Sequence, residues 1–146
     1  MRIAVVGMGK IGLPLAVHYA RRGHSVVGVD VNPQTVALIN GGVEPFPGEA
    51  HLAEYLPPLI SSGVLRATTE YAEAIPGADA VVMVVPLVVD AESRPDFTIM
   101  DAATRSMAAH LSPGTLVSYE TTLPLGTTRG RYKPLTEAAS GLPEVP

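Results

Sequence analysis

Three glycines and one acid are the residues of this chain whose types and spacing suit a chemical task. Gly7, Gly9 and Gly12 read G-x-G-x-x-G. With that pattern a chain turns tightly out of a strand, brings backbone close to a pyrophosphate and packs the next helix against the sheet. The free N–H groups at the helix start, near Lys10 and Ile11, would face the phosphates with the positive pole of the helix dipole. Asp30 follows 18 residues after Gly12, close to the spacing of a carboxylate that accepts hydrogen bonds from an adenosine ribose. A 2′-phosphate there would meet a like charge, with no arginine immediately after it, so the expected cofactor is NAD rather than NADP. In a chain with fourteen glycines the pattern alone is weak. The competing reading makes it a tight strand-to-helix turn, with Asp30 capping the helix that begins near Asn32 and Pro33.

The surrounding elements favour the cradle. Short β-branched runs at residues 2–6, 25–29, 64–67, 80–85 and 115–119 read as strands, several of them apolar on both faces as buried parallel strands are. Between them lie helical stretches at about 10–22, 33–40, 49–61, 70–75, 98–111 and 127–139. This βαβα rhythm predicts a Rossmann-type, doubly wound parallel sheet in three α/β/α layers, with the glycines directly after the first strand. In the first helix Ile11, Leu15 and Tyr19 form one ridge and Gly12, Ala16 and Ala20 a ridge of small residues. Pro14 falls in the first turn, and Gly23 suits the left-handed position that ends a helix. In the fifth helix Ile99, Ala103, Met107 and Leu111 repeat every four residues, with Thr98 as the expected cap and Asp101 completing an imperfect capping box. Thr68 and Thr69 are expected to cap the short fourth helix. After the sixth helix the ending SGLPEVP leaves the series without its next strand, so the sheet is expected to lack its final strand.

At the carboxyl end of the fourth strand, Val85 and Pro86 flank the switch point of a 3-2-1-4-5 strand order, where backbone should line the pyrophosphate and nicotinamide ribose. The stretch YETTLPLGTT, Tyr119 to Thr128, closes the fifth strand, so the hydroxyls of Thr121 and Thr122 should lie toward the nicotinamide. Loop and cap chemistry explains those threonines equally well on position alone.

Composition removes other classes. The 146 residues carry a net charge of −4, which offers no field for nucleic acid or an anionic membrane. Cysteine is absent, which excludes disulfides, a thiolate metal site and a thiol nucleophile within the chain. His18, His24, His51 and His110 show no ligand spacing, so no metal is expected. The apolar run from Ala78 to Val89 is too short to span a bilayer, and Lys10 and Pro14 interrupt the apolar opening. One domain over residues 1–146, in the cytoplasm, is the expectation.

Taken in order, GMGKIGLPLA, GHSVVGVDVN, LINGG, the pair Thr68-Thr69, ADAVVMVVP, PDFTIMDAA and YETTLPLGTT resemble the NAD-binding domain of the UDP-glucose/GDP-mannose dehydrogenase family, from Met1 to about Leu142. The resemblance implies oxidation of a nucleotide-sugar primary alcohol to the carboxylate in two NAD-dependent hydride transfers, through a thiohemiacetal on a cysteine. It implies that Thr122 lies beside the nicotinamide and helps order catalytic water, with Thr121 where serine is usual. The chain departs from the family at Thr35, where a basic residue often follows the ribose acid, and at Leu87 and Val88, where the family has V-P-T-P. Members continue into a dimer-forming helical region and a second nucleotide domain that holds the cysteine, a catalytic lysine and most substrate contacts. The chain is therefore expected to be the amino-terminal part of a longer homo-oligomeric enzyme acting on a nucleotide sugar, and to bind NAD without turnover by itself. The alternatives are the cofactor domain of a β-hydroxyacid-type dehydrogenase, against which ETTLPLGTT argues, and a free-standing NAD-binding module.

Overall fold

The computed structural model describes residues 1–143; the last three residues of the SGLPEVP ending lie outside them. In chain order the elements are β1 (Arg2–Val6), α1 (Gly12–Arg21), β2 (Ser25–Val29), α2 (Pro33–Asn40), α3 (Leu52–Ser61), β3 (Leu65–Thr68) and α4 (Tyr71–Ala74). They continue with β4 (Ala80–Met83), the two-residue strands β5 (Val88–Val89) and β6 (Pro95–Asp96), α5 (Thr98–Ala108), β7 (Leu116–Tyr119), a π-helical turn Thr128–Tyr132 and α6 (Lys133–Ser140). Five strands form one parallel sheet in the order β3-β2-β1-β4-β7. Its register sets Thr68, Val29, Val6, Met83 and Tyr119 in one row across the carboxyl ends. That row is the edge on which an open parallel sheet binds its ligands.

Alternation along β1 explains the layers. Ile3 and Val5 join a buried cluster with Leu13, Ala16, Val17 and Ala20 of α1, Ile39 of α2 and Leu52 and Leu56 of α3. Ala4 and Val6 point the other way, into a cluster with Ala74, Ile75, Met100, Ala103, Met107 and Tyr132. Both faces of the sheet are therefore covered, and the all-apolar strands follow from that double burial. In α1 the small ridge of Gly12, Ala16 and Ala20 is buried, while Ile11 just before the helix is 61% exposed.

Several local expectations change. The buried stripe of α5 is Met100, Ala103, Thr104 and Met107, and Ile99 faces outward. Ala103, Met107 and Leu111 of the expected ridge do face the core, and only Ile99 in the first turn departs from it; nor is Thr98 the cap. The Asp96 carboxylate accepts the Thr98 N–H at 2.9 Å. Asp101 forms no capping box either; it pairs with Arg131. At α4, Thr68 accepts the Glu70 N–H at 3.0 Å, and the Thr69 hydroxyl instead donates to the Glu70 carboxylate. The fourth strand stops at Met83, two residues early, although the Val84 N–H still donates to the Val6 carbonyl at 2.8 Å. The helix expected over 127–139 opens as the π turn. Pro134 has no N–H to return to the Gly130 carbonyl four residues back, so regular α geometry is interrupted there.

Candidate functional site

The glycine loop is built by contacts that only hydrogen side chains permit. Gly7 leaves β1 with φ +94°, and a Cβ there would lie 2.8 Å from the Val84 carbonyl oxygen. Its N–H donates to the Val29 carbonyl at 2.8 Å, which carries the chain across the end of β2. A Cβ on Gly12 would collide with the Gly7 carbonyl oxygen, so the start of α1 rests directly on the turn. Gly9 differs from both, because a Cβ there meets no atom within 4 Å. The Gly9 carbonyl accepts the first helical bond from the Leu13 N–H at 3.0 Å. The backbone around Lys10, Ile11 and Gly12 thus presents its amide groups at the amino end of a ten-residue helix, and Lys10 is exposed beside them.

Asp30 stands across the loop at the end of β2. One of its carboxylate oxygens accepts the Met8 N–H at 3.0 Å and the other the Asn32 N–H at 2.9 Å. The cap of α2 is Asn32, whose side chain accepts the Gln34 N–H at 2.9 Å, so the competing role of Asp30 as that helix's cap does not hold. A carboxylate offers about four lone-pair directions; two are used, and the remainder suit ribose hydroxyls. Thr35, one of the family departures, is buried against the core rather than turned to the groove.

Next to Asp30 a hollow of about 500 Å³ opens between the carboxyl ends of β1, β2 and β4 and the face of α5. Gly7, Asp30, Val31, Tyr71, Val85, Pro86, Thr98, Ile99, Ala102 and Ser106 line it. Sequence reasoning missed Val31, Tyr71, Ile99, Ala102 and Ser106, because they come from three separate segments and share no motif. No sequence signal marks them: the outward turn of Ile99, which breaks the expected helical stripe, is visible only in the fold. Burial, together with the Asp30 charge, raises the Tyr71 hydroxyl above its ordinary value, so the wall it forms is neutral. A smaller hollow of about 210 Å³ lies on the other side of the loop, lined by Gly9, Lys10, Pro14, Phe46 and Glu49 among others.

The two strand exits beyond the switch point are joined. The Thr121 hydroxyl donates to the Val85 carbonyl at 2.8 Å, so Thr121 is committed to backbone while Thr122 is exposed. Pro86 is exposed and Leu87 packs on the core, whereas Val88 lies outward in the β5–β6 hairpin. That hairpin was not legible, since Pro95 and the charged tip Asp90–Arg94 read as loop. Among the described residues no group of three or more His, Cys, Asp or Glu is placed to hold a metal ion, and no helix is long and apolar enough to cross a membrane.

Comparison with known proteins agrees with this geometry. Residues 1–144 match the family model described as UDP-glucose/GDP-mannose dehydrogenase family, NAD binding domain. The chain is 39% identical over 135 residues to UDP-N-acetyl-D-mannosamine dehydrogenase of Escherichia coli K12, covering 92% of this chain and 31% of that protein. The solved UDP-D-ManNAc dehydrogenase of Pyrococcus horikoshii superposes with a TM-score of 0.90 at 35% identity, over 99% of this chain and 34% of that one. The GDP-mannose dehydrogenase of Pseudomonas aeruginosa superposes with a TM-score of 0.91 at 28% identity, over 97% and 33%. The chain spans about a third of the length of these relatives. The β-hydroxyacid-type alternative is not favoured, and the chain belongs to the UDP-glucose/GDP-mannose dehydrogenase family as its NAD-binding domain.

Proposed function

We propose that this chain lays NAD across the carboxyl ends of its sheet and serves as the cofactor domain for oxidation of a nucleotide-sugar alcohol within a longer enzyme. The observation that carries the reading is the open space at Gly9, set at the amino end of α1 and next to Met8, whose N–H the Asp30 carboxylate accepts. The group fits the residues present. Backbone amides from Gly9 to Gly12 would take the pyrophosphate, Asp30 the adenosine ribose, and the hollow beside Tyr71 and Ile99 the adenine. Val85, Pro86, Thr121 and Thr122 would border the nicotinamide half. When bound, NAD supplies a hydride acceptor.

The chain's own residues bind and orient in this reading. Thr121, its hydroxyl donated to Val85, fixes the loop, and Thr122 positions water or cofactor. An ordinary hydroxyl without a partner base is too weak to remove a proton near neutral pH. No cysteine is present to hold an aldehyde covalently, so the second oxidation is assigned to residues outside these 146. Self-association and a cytoplasmic location belong to the same proposal. Among the described residues the outer edge of β7 pairs with no strand and Leu116 is 64% exposed, which supports the first, because an open apolar edge favours pairing with another chain.

Cofactor choice tests the reading. Charge-assisted hydrogen bonds from a ribose to a carboxylate contribute about 1.5–3 kcal/mol each, less in a solvent-facing groove. NAD should therefore bind at least about tenfold more tightly than NADP. Asp30→Ala should weaken NAD and narrow that gap, as read by titration calorimetry. Equal affinities in the parent chain would remove Asp30 from its role.

A further inference from the structure

The loop that follows β7 is anchored more firmly than its exposure suggests. At its start the Thr121 hydroxyl holds the Val85 carbonyl. In its middle the buried Thr127 returns both its hydroxyl and its N–H to the Pro124 carbonyl, at 2.7 and 3.1 Å. At its far end the π turn carries Arg131, whose guanidinium donates to both oxygens of Asp101 at 2.8 and 2.6 Å. Asp101 is 8% exposed. The same guanidinium lies over the Phe97 ring, 4.4 Å from its centre. Phe97 ends the segment that leaves β4 after Met83 and passes through the β5–β6 hairpin. Next in the chain, Tyr132 stacks on Tyr119 at 4.6 Å, the last residue of β7. Arg131 thus touches the returning end of the β4 exit, and Tyr132 beside it packs on the end of β7.

The Asp101 carboxylate is nearly buried while the Arg131 side chain is 45% exposed, so solvent screens part of the attraction and the charge of the pair alone adds little stability. What the fork of Arg131 on a carboxylate adds is a fixed mutual orientation. Here the orientation it fixes is that of the two strand exits that border the nicotinamide half of the groove.

We propose that Asp101 and Arg131 are positioning residues that clamp the β7 exit loop, with Thr121 and Thr122, against Val85 and Pro86 to receive the nicotinamide half of NAD. The clamp rests on the cofactor reading above. Asp101 shares α5 with Ile99 and Ala102, which line the hollow beside Asp30, but its own side chain bonds to Arg131 and is not part of that lining, so the adenosine half feels the change less than the nicotinamide half.

NAD and ADP, which carries only the adenosine and both phosphates, separate the two halves. In the 146-residue chain the neutral double variant Asp101→Asn with Arg131→Gln avoids leaving a lone buried charge. Calorimetric titration should show NAD affinity falling about tenfold, the equivalent of one net hydrogen bond. ADP affinity should stay within about twofold, well under that step. Should the double variant not fold, Arg131→Lys keeps the charge, loses the fork and should shift the ratio in the same direction. An unchanged ratio of NAD to ADP affinity in a folded variant, whether both stay or both fall together, overturns the clamp. A parent chain that binds no NAD overturns the cofactor reading itself.

Discussion

A methyl group added at Gly12 collides with the Gly7 carbonyl oxygen, while one added at Gly9 meets no atom within 4 Å. Two glycines of one motif therefore differ: the fold requires the first, while the second faces open space and is proposed to face the ligand. Overpacking of this kind costs about 1–3 kcal/mol, and the partner at Gly12 is backbone that cannot rotate away. Gly12→Ala should fall at or above the upper end of that range in urea unfolding; a variant as stable as the parent would contradict the contact. The tight packing at Gly7 and Gly12, and the place of Asp30 across from the glycine loop, were legible because fixed spacing imposes them. Tyr71 and Ile99 were not, since a wall assembled from α4 and α5 has no sequence period of its own. The second use of Asp30, holding the Met8 N–H of the glycine loop, was equally hidden. It depends on how closely β1 and β2 approach at their ends.

At the scale of elements the sheet followed from its apolar runs, with every expected strand present to within two residues. The segments after β4 and β7 were less readable because side chains, rather than periodicity, shape them. Asp96 caps α5, and the Asp101–Arg131 pair and the Tyr119–Tyr132 stack hold the π turn. Tyr132 is fully buried and its hydroxyl has no partner among the described residues. Burial first, and then the Asp101 charge, pushes that hydroxyl up to about 12. A tyrosine in the unfolded chain ionises near pH 10, so above that pH the unfolded state loses its proton while the folded state keeps it. Stability from this group is complete below about pH 10 and is lost as pH climbs toward 12. Tyr132→Phe should flatten that alkaline decline in thermal melts. It should also raise stability by about 1 kcal/mol at neutral pH, because an orphaned buried hydroxyl is removed and the ring is kept. A less stable Phe variant would show that the hydroxyl has a partner.

For the whole molecule, the row of carboxyl ends, the hollow beside Asp30 and the bare amides at α1 converge on one edge of the sheet. The two helical layers only support it. Family membership agrees with that layout and extends over residues 1–144. The central claim is that this edge is a dinucleotide site, and Gly9 is where ligand and fold separate most cleanly. NAD should be titrated by calorimetry into the parent chain and into Gly9→Ala, with thermal melts of both. The account predicts measurable binding by the parent and at least about a tenfold loss in the variant. The melting temperature should move by no more than about 4 °C, the shift that roughly 1 kcal/mol causes in a domain of this size. Full NAD affinity in a folded Gly9→Ala variant, or no binding by the parent, would contradict it.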